Sequence, residues 1–527
     1  QGLGTYLIEI SAERFYNSTP NITDITETLA GTCYIYPIEW GDSYSVIPTG
    51  NNPIIVDVSY RNGSENNRYI LETPADVLAI NSNEKSLSSH YEIKNLIDMS
   101  TVSGTPIGIL STSEGYELVG FSGSIVGTSS QAGIANLRLT TNAQPGSISH
   151  LKPNDDTYYY SGLFAKINSG AYIKNLTISG SVSVDVTENE YVGLLAGVNY
   201  GKISNISARV TDTSNVYINS SSNVHIGGLV GGNYNQIIQY FPAYADVEFT
   251  GDAHKIDDVQ GEFAGQSTKN IAYYLDKMTI SLPNDFSGRL YAGGIAGFNS
   301  GDITKVDDAS LKIYGYSTYS CYANIEITAN STISGNVYAG GAVGYAVSDI
   351  TRGVATLIQG LTVGGEVDFS ATTMNNTSAV GGIVGFATIG LTGEGNTQEV
   401  HIYDNISRTF VRGELYVGGI LGFDNYQQYN ANSNGSYVLF APSGDTNSKN
   451  RIEAVDDGRN VLEASMMILR YNGTKLDNLQ YDESCYIGIG NARDSGRNLG
   501  GVTFETISYV TRTPATGDEV MPNDNAI

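Results

Sequence analysis

The sequence predicts an all-β protein whose long middle is a parallel β-helix, a β-solenoid, between small β-rich flanking segments. Two observations predict it: a glycine-rich, β-prone composition and one short motif that recurs along the chain. Glycine accounts for 61 of 527 residues and tyrosine for 37, whereas charged residues make up only 16%. Many aromatic residues and few charges argue against disorder. Abundant glycine and β-branched residues argue against a helical protein.

The net charge restricts the partners. The chain has 54 acidic and 28 basic residues, which gives a formal charge of −26. Polyanions are repelled by such a chain, so nucleic acid and anionic membrane surfaces are not expected as partners. The apolar runs are too short for a membrane span. The cysteines Cys33, Cys321 and Cys485 lie far apart and show no metal-binding spacing.

Residues 1–70 do not repeat and contain short strand-like segments between Gly, Asn and Pro turns, as in Pro53–Val58. They are predicted to form an N-terminal β-rich domain or a cap. Repeat arrays need such caps because their end strands carry unpaired backbone groups.

Residues 71–440 contain the recurring motif, which reads Tyr-Val-Gly-Leu-Leu-Ala-Gly at Tyr191–Gly197 and Tyr-Ala-Gly-Gly-Ile-Ala-Gly at Tyr291–Gly297. The other copies are His225–Gly231, Tyr338–Gly344, Ala379–Gly385, Tyr416–Gly422 and a degenerate Tyr160–Ala165. A constant motif at variable spacing indicates one structural unit with insertions. Small residues flanked by aliphatic ones suit a strand whose backbone is closely approached by its neighbours. The apolar face of each unit is buried only by stacking.

A turn follows the glycines in several copies. Asn168, Asn199 and Asn299 each begin an Asn-x-Gly sequence, and Asn233 occupies the equivalent place. Asparagine and glycine favour tight turns, and equivalent asparagines are predicted to form a hydrogen-bonded ladder from repeat to repeat. His225, which replaces the motif's tyrosine, is predicted to stack in the array rather than to bind a ligand.

These motifs resemble the GLUG-motif family of secreted bacterial and archaeal surface proteins. The segments Ala75–Ile80 and Tyr91–Ser100 are similar to the opening coil of that family, and Phe121–Gly127 with Ile134–Leu139 to the segment that follows it. The likeness covers residues 72 to about 430. It implies a β-solenoid in an extracellular, cell-surface or cell-wall protein, and family members include adhesins.

Residues 441–510 are predicted to form a C-terminal β-rich domain or cap, with one helical candidate at Asn460–Leu469. Residues 511–527 form a polar tail that carries a sequence resembling a sortase sorting signal: Thr513, Pro514, Ala515, Thr516 and Gly517. Thr513 stands where leucine is usual. The resemblance implies covalent attachment to the cell wall through Thr516; the alternative is a simple polar tail.

No motif of a metalloprotease, P-loop, nucleophile elbow or calcium-binding EF-hand loop occurs in the sequence. The chain is therefore not expected to be an enzyme or to carry an organic cofactor. The leading prediction is an extracellular structural or adhesive protein that binds a surface protein or a glycan. The alternatives are a polysaccharide-cleaving β-helix enzyme and a self-associating subunit of a filament or surface layer.

A set of acidic residues suggests one metal site. Four strand-like stretches carry an acid between two apolar residues, at Asp185, Glu248, Glu326 and Asp368. Strand alternation places each acid on the face opposite to its apolar neighbours. If equivalent strands stack, the acids form a stripe that attracts Ca²⁺ or a basic partner. The other interpretation is an ordinary solvated face.

Overall fold

The computed structural model describes residues 63–211 except 130, then 214–219, 222–241, 272–307, 320–329, 333–348, 355–370, 378–388, 400–413 and 416–424. It also describes short strand segments at 438–439, 450–452, 462–464, 479–482 and 508–510. The predicted all-β class is confirmed, because these residues are mostly strands in parallel sheets.

The strands, numbered along the chain, are β1 Tyr69–Leu71, β2 His90–Ile93, β3 Leu96–Asp98, β4 Ile109–Thr112, β5 Gly115–Leu118, β6 Ser124–Gly127, β7 Gly133–Thr140, β8 Ile148–Ser149, β9 Tyr158–Ser161, β10 Phe164–Ile167, β11 Tyr172–Val186, β12 Asn189–Gly193, β13 Ala196–Asn199, β14 Lys202–Val210, β15 Ser214–Ile218, β16 Asn223–Gly227, β17 Val230–Asn233, β18 Gln236–Phe241 and β19 Tyr273–Leu282. They continue as β20 Arg289–Gly293, β21 Ala296–Asn299, β22 Asp302–Asp307, β23 Cys321–Ala329, β24 Asn336–Gly340, β25 Val343–Val347, β26 Thr356–Gln359, β27 Thr362–Ser370, β28 Ala379–Gly381, β29 Val384–Thr388, β30 Val400–Tyr403, β31 Ile406–Gly413, β32 Tyr416–Gly418, β33 Leu421–Asp424, β34 Val438–Leu439, β35 Asn450–Ile452, β36 Leu462–Ala464, β37 Leu479–Asp482 and β38 Ser508–Val510.

Between Gly63 and the repeats, the described residues form two short helices: α1, Pro74–Ala79, and α2, Glu84–Ser88. The start of α1 is fixed by a capping box, in which Thr73 Oγ1 accepts a hydrogen bond from the Asp76 amide and the Asp76 carboxylate accepts one from the Thr73 amide. Such reciprocal bonds satisfy backbone donors that a helix leaves unpaired. Single 3₁₀ turns lie at Ile80–Ser82 and Met99–Thr101.

The chain divides into two compact units. The first takes residues up to Leu71 together with Ser89–Glu92, and the second takes Glu72–Ser88 and the residues from Ile93 onward. In the first unit the rings of Tyr69 and Tyr91 lie 5.8 Å apart. No helix in the described part of the chain is long and apolar enough to cross a membrane.

Each motif copy gives one strand to each of two seven-stranded parallel sheets. The first sheet contains β9, β12, β16, β20, β24, β28 and β32, and the second contains β10, β13, β17, β21, β25, β29 and β33. The register is constant: the first motif glycine of one copy lies opposite that of the next, as in Gly227 opposite Gly293. Equivalent pairing continues through Gly340, Gly381 and Gly418.

A third parallel sheet collects the longer strands between the motifs. β11 pairs with β14 and then with β15, both pair with β19, and the series continues through β23, β27 and β31. Four residues along this sheet have a left-handed backbone conformation, with φ between 50° and 59°: Asn136, Asn175, Asn205 and Asp404. Asparagine and aspartate tolerate this conformation better than other side chains. Asn205 also donates a hydrogen bond of 3.2 Å to Asn175 Oδ1.

The aliphatic core runs along the repeats. Six residues share one register position of the first sheet, and each is at most 1% exposed: Val192, Ile226, Ala292, Ala339, Val380 and Val417.

The predicted asparagine ladder is confirmed for three copies. Asn199 donates to Asn233 Oδ1 at 2.8 Å, and Asn233 donates to Asn299 Oδ1 at 2.7 Å. The ladder is interrupted at Ala346, which takes the next place in register. The prediction is wrong for Asn168, because Ile167 is the register partner of Asn199 and Asn168 Nδ2 donates to the Val119 carbonyl instead.

The second motif glycine lies against the backbone of the following repeat. A Cβ atom built on Gly228 would be 2.3 Å from the carbonyl oxygen of Gly294. The same contact repeats from Gly294 to Gly341, from Gly341 to Gly382 and from Gly382 to Gly419, at 2.1 to 2.3 Å. Carbon and oxygen atoms do not approach so closely, so these positions exclude every side chain. The predicted close approach is confirmed at these four glycines.

The helical candidate at Asn460–Leu469 is wrong in the part that the structure describes. Leu462–Ala464 forms β36, which pairs in parallel with β31. Helix propensity is a weak preference, and here strand pairing with a preceding β-strand decides the conformation.

Replacing Gly294 by alanine should therefore lower the free energy of unfolding by about 3 kcal/mol or more, because the new methyl group overlaps the Gly341 carbonyl. Gly170→Ala is the matched control, since a Cβ there meets nothing within 4 Å and only the positive φ of 89° is unfavourable, at about 1–2 kcal/mol. Urea unfolding of both variants measures the difference. Equal losses would contradict the close-contact explanation.

Candidate functional site

A column of aromatic rings lies on the face of the first sheet opposite to the aliphatic core. Alternation along β12 directs Val192 into the core and Tyr191 to the other face. The residues in register with Tyr191 form the first-sheet column: Tyr160, Tyr191, His225, Tyr291, Tyr338, Ala379 and Tyr416. Ring centroids of neighbouring members are 4.4 Å apart for Tyr191 and His225 and 4.6 Å for His225 and Tyr291. The prediction that His225 stacks in the array is confirmed.

A second column of rings packs beside the first. The second-sheet column consists of Tyr200, Tyr234, Phe298, Tyr345, Phe386 and Phe423, with successive centroids 4.7 to 5.8 Å apart. The columns meet edge to face: Phe298 lies at 82° to His225, and Tyr345 lies at 74° to Tyr291. The hydroxyl groups of Tyr191 and Tyr234 are 3.0 Å apart and hydrogen-bonded. Stacked and edge-to-face pairs are the preferred aromatic arrangements, so the columns form a second packed layer.

His225 is uncharged in this layer. Its ring is 6% exposed, and no hydrogen bond reaches its Nδ1 atom. Burial lowers the pKa of His225 to about 3, because the charged form loses its hydration among aromatic rings. The same desolvation raises the pKa of the buried Cys321 thiol, whose Sγ donates to the Gly341 carbonyl at 3.3 Å. Neither group is prepared for acid–base or nucleophilic chemistry.

A buried polar cluster lies where the first sheet begins. Glu190 has no exposed surface and takes the register position that Val224, Leu290 and Val337 fill in later repeats. Its Oε1 atom accepts a hydrogen bond of 2.7 Å from Ser161 Oγ and lies 3.1 Å from His150 Nδ1. Its Oε2 atom is buried without a hydrogen-bond partner.

The three residue types occur in hydrolases, but their geometry here is different. In a nucleophile–base pair the histidine bonds the serine hydroxyl and the acid orients the histidine. Here the Glu190 carboxylate lies between Ser161 and His150; Ser161 and Glu190 are buried, and the His150 side chain is 9% exposed. The cluster instead holds the segment before β9, in which Leu151 forms an antiparallel bridge with Tyr160. This bridge covers the open edge of the first sheet.

The structure separates the acids predicted to form one stripe. Glu326 and Asp368 lie directly opposite each other on β23 and β27. Asp185 lies in a different register position, whose neighbours are Tyr217 and then Ser281. Glu248 lies outside the described residues. Within the described residues no three or more His, Cys, Asp or Glu side chains are placed to hold a metal ion.

The two adjacent acids already have cationic partners. Lys277 Nζ lies 2.8 Å from Glu326 Oε2, and Arg412 Nη1 lies 2.7 Å from Asp368 Oδ2. These ion pairs compensate the like charges of the two carboxylates and reduce their attraction for a metal. The calcium site stays a prediction for Glu248, Glu326 and Asp368, whereas Asp185 lies in another register position. The sorting-type residues Thr513 to Gly517 lie outside the described residues, so their role also stays a prediction.

Sequence reasoning overlooked the second-sheet column and the cluster around Glu190. The signal for Glu190 was present, because an alignment of the motif copies places one acid among Val224, Leu290 and Val337. Ser161 and His150 carried no such signal, since their proximity depends on the antiparallel bridge before β9.

Comparison of the chain with models of protein families, with curated proteins and with solved structures finds no match. Function therefore has to be inferred from the chain's own residues.

The buried imidazole should make the protein sensitive to acid. The pKa of His225 lies below its value of 6.5 in the unfolded chain, so below pH 6.5 the unfolded state binds a proton that the folded state does not. This contribution to stability is complete above pH 6.5 and is lost as the pH falls toward 3. The total loss is up to about 5 kcal/mol.

The matched variant is His225→Tyr, which restores the residue found in most copies. We expect the melting temperature of this variant to fall less than that of the original chain between pH 7 and pH 4. The melting temperatures of the two proteins are measured at several pH values and subtracted at each pH. Both proteins contain the same carboxylates, so the effect of the carboxylates cancels in the difference. Parallel curves for the two proteins would contradict this explanation.

Proposed function

We propose that the chain is an extracellular structural or adhesive surface protein whose repeats stack as a parallel β-solenoid of the GLUG type. Several observations support the solenoid. Successive motif copies add one parallel strand to each sheet in constant register, and the motif glycines contact each other from copy to copy. Such an array is a rigid support for surface residues.

The constant register is the observation that carries the proposal. Because each repeat contacts its neighbours through equivalent positions, an exposed position recurs at intervals of about 4.8 Å along a sheet. The first- and second-sheet columns fill one side of the array with packed rings, most of them buried or half-buried, and Tyr200 is the exposed member. The third sheet presents polar and charged residues instead, including the ion pair of Arg209 with Asp276 at 3.0 Å. We therefore assign binding to the third sheet.

One pair on that sheet suits a glycan. Asp185 on β11 and Tyr217 on β15 are direct neighbours in register, and both side chains are exposed. The Tyr217 ring is 48% exposed, and it contacts no other ring among the described residues. An open aromatic face packs against the apolar side of a sugar ring, and a nearby carboxylate accepts hydrogen bonds from its hydroxyl groups. The partner is therefore proposed to be a surface glycan.

Deleting one whole repeat tests the solenoid. Removal of residues 338–378 joins the chain at equivalent positions, since Tyr338 and Ala379 are register partners. We expect this variant to fold cooperatively, with a circular dichroism spectrum like that of the full chain. Removal of residues 338–357 deletes fewer residues but shifts the register, so it should prevent folding. Better folding of the smaller deletion would contradict the solenoid.

Adhesion of beads coated with the full chain to immobilised microbial and host polysaccharides tests the function. Tyr217→Ala should reduce retention at least tenfold if the third sheet binds glycan, because it removes the open ring. Tyr116→Ala is the control, since Tyr116 is 40% exposed but belongs to the β4–β5 hairpin outside the repeats. Equal retention of both variants would reject this binding face. Assembly of the free protein into filaments would favour the alternative of a self-associating subunit.

A further inference from the structure

The chain contains more tyrosines than the stacking of rings in the two columns requires. The chain has 37 tyrosines against 14 phenylalanines, and only three cysteines. Phe298, Phe386 and Phe423 share one register position with Tyr345, which shows that a ring without a hydroxyl stacks at that position of the second-sheet column. Tyr200 and Tyr234 carry a hydroxyl at the start of this column, and that of Tyr234 is hydrogen-bonded to the Tyr191 hydroxyl. A phenol differs from a phenyl ring in that one-electron oxidation converts it to a radical that can form carbon–carbon bonds.

Tyr200 combines exposure with a tyrosine neighbour. Its ring is 39% exposed and stacks on Tyr234 with centroids 4.7 Å apart and an interplanar angle of 12°. Both residues directly follow register partners, Asn199 and Asn233, so they belong to consecutive repeats. Rings at this separation come into contact after a small rotation about the side-chain bonds, and the exposure of Tyr200 leaves room for it.

The other tyrosines whose side chains the structure describes lack one of these two properties. Tyr116 and Tyr217 are equally exposed, but neither ring contacts another among the residues that the structure describes. Tyr274 and Tyr322 are stacked at 5.5 Å, but Tyr274 is only 4% exposed and is not accessible to an oxidant. Exposure and a stacked tyrosine partner thus coincide at Tyr200.

We propose that Tyr200 and Tyr234 form an oxidative cross-linking site that joins two consecutive repeats through a dityrosine bond. The oxidant is a peroxide, used by a haem peroxidase. Each phenol loses one electron and one proton, and the two radicals couple through ring carbons ortho to the hydroxyl groups. After the two carbons lose their hydrogens, the phenols are restored. One hydrogen peroxide accepts the two electrons and two protons and leaves as two water molecules.

The bond would covalently connect the second and third motif copies, near the start of the array. Lys166, from the preceding repeat, has its ammonium 5.5 Å from the Tyr200 ring centroid, whereas Tyr234 comes from the following repeat. The two neighbours cover the two faces of the ring, so the ring edge, which carries the reactive carbons, remains for coupling. A cross-link at this point would oppose separation of the repeats in the same way as a disulfide, in a chain with few cysteines.

The test uses the purified full chain at low concentration with hydrogen peroxide and a haem peroxidase. The expected product is a monomer lighter by two hydrogens with dityrosine fluorescence. After tryptic digestion, the peptide 175–202 should be joined to the peptide 210–255, and fragmentation should locate the bond at Tyr200 and Tyr234. The melting temperature of the monomer should rise.

Tyr200→Phe and Tyr234→Phe each keep a stacking ring and should abolish the cross-linked monomer. Tyr217→Phe is the control, because Tyr217 is exposed and lies in the same tryptic peptide as Tyr234; its cross-link yield should stay unchanged. Circular dichroism checks that each variant is folded. An undiminished yield in Tyr200→Phe, cross-links only between molecules, or a bond located at other tyrosines would overturn the proposal.

Discussion

Direct contact of backbone with backbone at the motif glycines is the constraint on which the rest of the structure depends. At Gly228, Gly294, Gly341 and Gly382, a carbonyl oxygen of the next repeat occupies the space that a Cβ atom would need. The first glycine of the motif makes a similar contact within its own repeat: a Cβ on Gly293 would lie 2.2 Å from the Ala296 carbonyl oxygen. These contacts fix how far apart the repeats lie and where the chain turns from the first sheet to the second.

The fixed register has two consequences for packing. On one face of the first sheet, small and aliphatic residues such as Val192 and Ile226 align into a continuous core. On the other face, one ring from every repeat except that of Ala379 aligns with the second-sheet column into an aromatic layer. A side chain at a given motif position therefore contacts the side chains at the equivalent position in both neighbouring repeats. His225 illustrates this, since its imidazole lies between Tyr191 and Tyr291 and is kept neutral by them.

The start of the array has a different arrangement. The core position of Val224 is taken there by Glu190, which binds Ser161 and His150 instead of packing against aliphatic residues. A carboxylate with no exposure is costly unless it is hydrogen-bonded, so the cluster strongly favours the native position of the segment before β9. That segment pairs with Tyr160 and protects the first strand of the sheet. The same end carries Tyr200 and Tyr234, so buried polar bonds and stacked phenols both lie where the array begins.

The sequence by itself determined the all-β class, the positions of the motif copies, the asparagine ladder from Asn199 to Asn299 and the stacking of His225. It could do so because each of these depends on residue types repeated at equivalent positions, and repetition is visible in one dimension. Tertiary structure alone decided which acids are neighbours: insertions of different length place Asp185 beside Tyr217 and Glu326 beside Asp368. It also decided the ion pairs of Lys277 and Arg412 and the meeting of His150 with Glu190. These contacts join residues with no common place in the motif, so only the register of the strands brings them together.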